Sequence, residues 1–203
     1  MARKKKSSVI HTKRRQIEDE DGWTYVVDAP KSNKPLPKTS AFHGGDFEIN
    51  GVSYINRTLE EMVAEVAHWT KAWEQSEACG QLKEMIQGMK IKKIVVLGLG
   101  SLQSSRREGR RATATQLAAL QTLNTEHLPV VFQDPQYTDL DKELLSSLGH
   151  VVVPDPEAFA AINAETLVYA IHCYGPIYKK ISDGTRPAIL IGTDVDNFGR
   201  FDA

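Results

Sequence analysis

The chain has 203 residues, enough for one well-buried core with appendages, and its 25 Lys and Arg against 26 Asp and Glu select no partner by overall charge. Its two cysteines, Cys79 and Cys173, lie far apart and suit a reducing compartment better than a disulfide framework. No apolar run approaches the roughly 20 residues a bilayer crossing needs, and no apolar stretch follows the basic N-terminus, so a soluble intracellular protein with no membrane partner is expected.

Taken in chain order, Arg3-Lys4-Lys5-Lys6 and Lys13-Arg14-Arg15 precede the acidic run Glu18-Asp19-Glu20-Asp21. Such blocks resist packing and read as a two-part nuclear import signal, a nucleic-acid tail or a solvated end. Residues 1–50, rich in Lys, Ser, Pro and Gly, predict a disordered basic and proline-rich arm. Within it, Trp23-Thr24-Tyr25-Val26-Val27 is an isolated apolar patch that adds a strand, docks on a partner or clusters transiently.

Residues 51–203 read as an α/β domain, with a helical lead-in over 58–90 and a βαβ sheet over 91–203. From Thr58, Leu59, Met62, Val63, Val66, Trp69 and Trp73 fall on one helical face, and Leu82, Met85, Ile86 and Met89 group on a second helix. The run Ile94-Val95-Val96-Leu97 predicts a central strand covered on both faces, and Gly98-Leu99-Gly100-Ser101 a tight turn after it. A helix burying Ala114, Leu117, Leu120 and Leu123 leads to a second strand at 129–133. Thr138 or Asp139 caps the next helix, whose buried face is Leu140, Leu144, Leu145 and Leu148, with Gly149 at its end. Further strands fall at 150–153, 166–171 and 188–191, and Pro176 suits a first helical turn. The sum is a Rossmann-like three-layer sandwich with a mainly parallel five-stranded sheet, preceded by helices and the disordered arm, with ligand at the carboxyl ends of the strands.

The chemistry-bearing residues gather on the loops at that edge. Gly98, Gly100 and Ser101 make a Gly-x-Gly turn without the third glycine of a dinucleotide fingerprint, because Gln103 stands there. The turn serves a ligand or packing alone. Asp134 follows the second strand, where adenosine binders place a carboxylate on ribose hydroxyls, and Asp155 stands similarly after the third; each adjoins a proline and equally suits a turn. With the glycine loop they also fit an S-adenosylmethionine pocket, which keeps a methyltransferase as the alternative. Arg106, Arg107, Arg110 and Arg111 cluster at a helix start and suit an anion, a phosphorylated ligand or RNA backbone, or else a solvated loop. His172 and Cys173 are adjacent on a strand and point to opposite faces, so they form no dyad; His172 reads as a pocket hydrogen-bonding group, with haem ligation by either as the other reading. No spacing completes a zinc site, so no metal is assigned.

Six segments stand in order: Ile94-Val95-Val96-Leu97-Gly98-Leu99-Gly100-Ser101; Gln116-Leu117-Ala118; Gln133-Asp134-Pro135-Gln136-Tyr137-Thr138; Leu148-Gly149; Leu167-Val168-Tyr169-Ala170-Ile171-His172-Cys173; and Ile189-Leu190-Ile191-Gly192. Together they resemble the SRR-like domain, named for Sensitivity to Red Light Reduced, over about residues 58–194. The sequence departs from that family in having Gly192-Thr193-Asp194-Val195 where members show Gly-Asn-Ser-Phe, and in a longer, more basic insert between Ser101 and Gln116. The resemblance implies a regulatory protein, cytoplasmic and nuclear, from a family linked to circadian timing, control of haem biosynthesis and microtubule stability. Protein partners are expected, nucleic acid stays open, and S-adenosylmethionine, another nucleotide or haem are the candidate cofactors.

Overall fold

The computed structural model describes residues 14–18 and 24–28 by their backbone, and residues 45–88, 90–171 and 173–193. The chain divides into two units, 1–42 and 43–203. In the first, β1 (Arg14–Glu18) pairs antiparallel with β2 (Thr24–Asp28), so Thr24 to Val27 of the apolar patch lie in a strand; apart from these strands and residues 45–50, the expected arm lies outside the described residues.

The second unit opens with a hairpin that straddles the 50/51 boundary drawn from composition. Strands β3 (Phe47–Ile49) and β4 (Val52–Tyr54) are joined by Asn50-Gly51 at φ 51° and 81°. Positive φ at both central residues is what a tight two-residue hairpin requires, and Asn-Gly is its strongest signal. Helix α1 (Leu59–Glu74) starts at a capping box, in which Thr58 Oγ1 accepts the Glu61 N–H at 3.2 Å and the Glu61 carboxylate accepts the Thr58 N–H at 2.9 Å. Ser76 caps α2 (Glu77–Met85).

Next come β5 (Lys93–Leu97), α3 (Arg107–Leu123), β6 (Val130–Gln133), α4 (Asp139–Ser147), β7 (Val151–Val152), a short 3-10 turn at Glu157–Ala161, β8 (Thr166–Ala170), α5 (Gly175–Asp183) and β9 (Ile189–Gly192). The five strands lie in the order β7-β6-β5-β8-β9, every neighbouring pair parallel. The fold is therefore α/β, a helix-flanked parallel sheet as expected from the strand and helix alternation.

Burial follows the pleat. Ile94 and Val96 of β5 join Met62, Leu117, Leu120, Phe132, Leu144 and Tyr169 on one face, whereas Val95 and Leu97 join Ala158, Val168, Tyr178 and Ile181 on the other. Ile94, Val95 and Val96 are wholly buried. Each such aliphatic side chain contributes about 1.5–3 kcal/mol relative to exposure. Three side chains assigned to buried helical faces are instead solvent-facing: Val63 at 47%, Met85 at 68% and Leu148 at 39% exposure. They sit at the margins of their apolar stripes, beyond the arc a neighbouring layer covers.

Candidate functional site

The strand order reverses between β5 and β8, and the β5–α3 and β8–α5 loops leave the sheet side by side there. In doubly wound sheets this is where a crevice opens for ligands. Gly98 (φ +65°) and Gly100 (φ +88°) occupy the left-handed region, which glycine enters without strain. A Cβ on Gly98 would lie 2.7 Å from Cys173 Sγ, and one on Gly100 would lie 2.8 Å from Thr113 Oγ1, so both glycines also serve close packing. Cys173 Sγ donates to the Leu97 carbonyl at 3.3 Å. Burial, with a smaller contribution from Asp134, pushes that thiol up to about 11. It is thus a neutral packing group at physiological pH rather than a thiolate nucleophile.

Two carboxylates from other elements hold the glycine loop. Asp134 accepts the Gly100 N–H at 2.7 Å and the Gln136 N–H at 2.8 Å, one bond to each oxygen. Asp141 accepts Ser101 Oγ at 2.6 Å, the Leu102 N–H at 2.9 Å and the Thr138 N–H at 2.9 Å. Burial raises both carboxyls above the ordinary carboxylate range, and the hydrogen bonds they accept oppose the rise. Gln103, at the position of the absent third glycine, is a buried tie: its Nε2 donates to the Ile55 carbonyl at 3.1 Å and its Oε1 accepts from Thr138 Oγ1 at 2.5 Å. Backbone bonds from Ile55 to Gln103 and from Ser105 to Ser53 then stitch the loop to β4.

The other residues singled out from the sequence are more dispersed. The Asp155 carboxylate accepts Gln133 Nε2 at 2.8 Å, and Gln133 Oε1 accepts the Ala158 N–H, so this pair ties β6 to the 3-10 turn. Arg106 and Arg107 are exposed at the start of α3, whose N-cap Arg106 makes no side-chain capping bond. Arg111 stacks on Trp69, 4.8 Å from the ring centre. Arg110 turns inward: it donates to the Ser104 carbonyl at 2.6 Å and lies 4.0 Å from the carboxylate of Glu65, which also pairs with Arg57. The four arginines therefore do not converge: Arg110 and Arg111 are engaged by Glu65 and Trp69 of α1, whereas Arg106 and Arg107 stay exposed. His172 lies outside the described residues. Among the described residues, no group of three His, Cys, Asp or Glu side chains is placed to hold a metal.

Comparison with known families gives one result. A family model, the SRR1 domain, matches residues 78–201, more than half the chain. The chain belongs to the SRR1 domain family. No curated protein and no solved structure matches it. The SRR1 domain match takes in the glycine loop, Asp134, Asp141, Asp155 and Cys173, whereas β3, β4 and α1 precede it.

The structural roles of several residues around the glycine loop escape a sequence reading: Asp141, Gln103, Tyr54 and Tyr137. Asp141 carries the local signal of a helix N3 carboxylate, and that role is real, since its side chain closes a capping box with Thr138. Nothing local announces that the same carboxylate also holds Ser101 and Leu102. Tyr54 is 2% exposed, stacks on Phe47 and donates to the Gln136 carbonyl at 3.0 Å. The Tyr137 hydroxyl is buried and has no hydrogen-bond partner among the described residues.

Proposed function

We propose that this SRR1-domain chain is a regulatory protein whose switch-point crevice, floored by Gly98, Gly100 and Ser101, takes a small adenosine-like or phosphorylated ligand, while its N-terminal arm engages protein partners. The reversal of strand order between β5 and β8, directly above the glycine loop, carries this reading. Asp134 spends one acceptor site of one oxygen on the glycine loop and one of the other on its own turn, at Gln136, and each oxygen keeps another site for a ribose hydroxyl. Arg106 and Arg107 stand at the positive end of α3, where cations are disfavoured; a bound anion would offset that cost. Asp155 and His172 are the further ligand residues the sequence suggests, and His172 lies outside the described residues. Roles in circadian timing, haem biosynthesis control or microtubule stability, in cytoplasm and nucleus, belong to the same proposal and rest on the family resemblance.

A thermal-shift panel of ATP, NAD, S-adenosylmethionine and haem tests it. A ligand at a hundred times its dissociation constant should add about 2.7 kcal/mol. The shift by a phosphorylated ligand should shrink in Arg106→Ala/Arg107→Ala. No shift with any compound would end the small-ligand reading. A shift with S-adenosylmethionine accompanied by methyl transfer would replace it with a methyltransferase. For the arm, neutralising Lys4 to Lys6 and Lys13 to Arg15 should lower the nuclear fraction, and an unchanged fraction rejects nuclear import.

A further inference from the structure

The five-stranded sheet ends in two unlike edges. At one, β7 is two residues long and leads into Pro154 and Pro156, so it offers little backbone to another strand. At the other, β9 runs for four residues, Ile189-Leu190-Ile191-Gly192, with no charge and no proline. Its strand neighbour among the described residues is β8, in continuous register, which leaves the N–H and C=O groups on its outer side without a ladder there. Edges are commonly blunted by a charge, a proline or a bulge, and β9 carries none of these.

Apolar surface is open on both faces of this edge. Leu190 is 46% exposed and borders a cleft of about 390 Å³ with Tyr178, Ile181 and Arg186 on the face of α5. Ile191 borders an apolar groove of about 270 Å³ with Trp73, Leu82 and Met85 on the face of α1 to α3. The side chains of an added strand alternate between the two faces, so both sets would meet apolar surface.

We infer that β9 pairs antiparallel with β9 of a second copy of this chain, joining two sheets into one across a two-fold axis at Leu190. The strand's own sequence selects this occupant. Ile189-Leu190-Ile191 reads the same in both directions, so antiparallel pairing centred on Leu190 sets leucine opposite leucine on the α5 face and isoleucine opposite isoleucine on the other. No charged side chain enters the pairing, so no like-charge repulsion opposes it. The two-fold contact uses up the β9 edge of each copy, and the short β7 edges do not extend the sheet, so assembly stops at two.

Light scattering after gel filtration of the full chain, over a dilution series, tests the pairing. The wild type should show a species of twice the chain's mass, and Leu190→Lys, which sets a charge on each strand at the axis, should lose it while keeping the wild-type circular dichroism. A monomer at every concentration, growth beyond two copies, or a dimer that survives Leu190→Lys overturns the proposal. Disulfide trapping checks the register independently: opposed Cα atoms about 4.5–5.5 Å apart lie within disulfide range, and the native Cys79 and Cys173 are buried. Leu190→Cys should give a covalent dimer under mild oxidation, and Val151→Cys on the β7 edge, where the side chain is 57% exposed, should not. No crosslink at Leu190→Cys, or equal crosslinking at Val151→Cys, overturns it as well.

Discussion

Gly98 shows how one residue can be legible in kind and illegible in cause. The sequence marks it as a turn glycine after a buried strand, but its contact with Cys173 joins positions 75 residues apart in the chain and depends on β5 and β8 being neighbours. Gly98→Ala should cost about 2 kcal/mol, from positive φ and from the Cβ pressed on the sulfur. Cys173→Ala in that background should return part of the loss, because it removes the clash and leaves the backbone strain. A denaturant double-mutant cycle should show coupling of about 1 kcal/mol, and strictly additive effects would contradict the contact. Asp141 makes the same point for a carboxylate: Asp141→Ala should cost at least about 3 kcal/mol, since Ser101, Leu102 and Thr138 lose their acceptor together. Tyr137→Phe should act in the opposite direction. Its buried hydroxyl has no partner among the described residues, and removing it should raise stability by about 1 kcal/mol in equilibrium unfolding.

At the scale of elements, helix starts were written plainly and helix faces less so. Thr58 and Thr138 both close capping boxes, and the sequence named each as an entry residue or candidate cap. Their replacement by Ala should nevertheless differ. Thr58→Ala removes a surface cap and should cost about 1 kcal/mol, whereas Thr138→Ala also strips the buried Gln103 amide of its donor and should cost about 2–3 kcal/mol. Comparable losses in paired unfolding curves would mean that the Thr138–Gln103 bond contributes little. The β3–β4 hairpin shows a signal that composition hides: Asn50-Gly51 straddles the end of a stretch whose proline and lysine content suggests disorder. Composition averages over many residues, while a two-residue turn with positive φ is decided by two.

At the scale of the molecule, the buried carboxyls give a pH dependence whose sign is fixed. Asp134 and Asp141 are raised above 3.8, chiefly by desolvation, so between 3.8 and their folded values the folded protein binds more protons than the unfolded chain. Their contribution to stability is therefore greatest at low pH and falls as pH rises through that interval. Relative to Asp134→Asn, which has no titrating carboxyl at this position, the wild type should lose stability with rising pH across the window. Urea unfolding of both proteins across the acidic range measures this, and a difference independent of pH would show that Asp134 is not perturbed. The exposed Asp139, lowered by its hydrogen bond to Lys142, shifts in the opposite direction and does not interfere with this comparison.

By itself the sequence determined the alternation of strands and helices, the central position of the 94–97 strand, the entries of α1 and α4, and membership in a family through ordered motifs. These are local or periodic properties, carried by residues close in the chain and by the need to bury apolar side chains on one face or two. The strand order, the convergence of Asp134 and Asp141 on the glycine loop, the Gly98–Cys173 contact and the inward turn of Arg110 were decided only by tertiary structure. Each joins residues from different elements, and which elements become neighbours is set by the packing of the whole sheet and its helices.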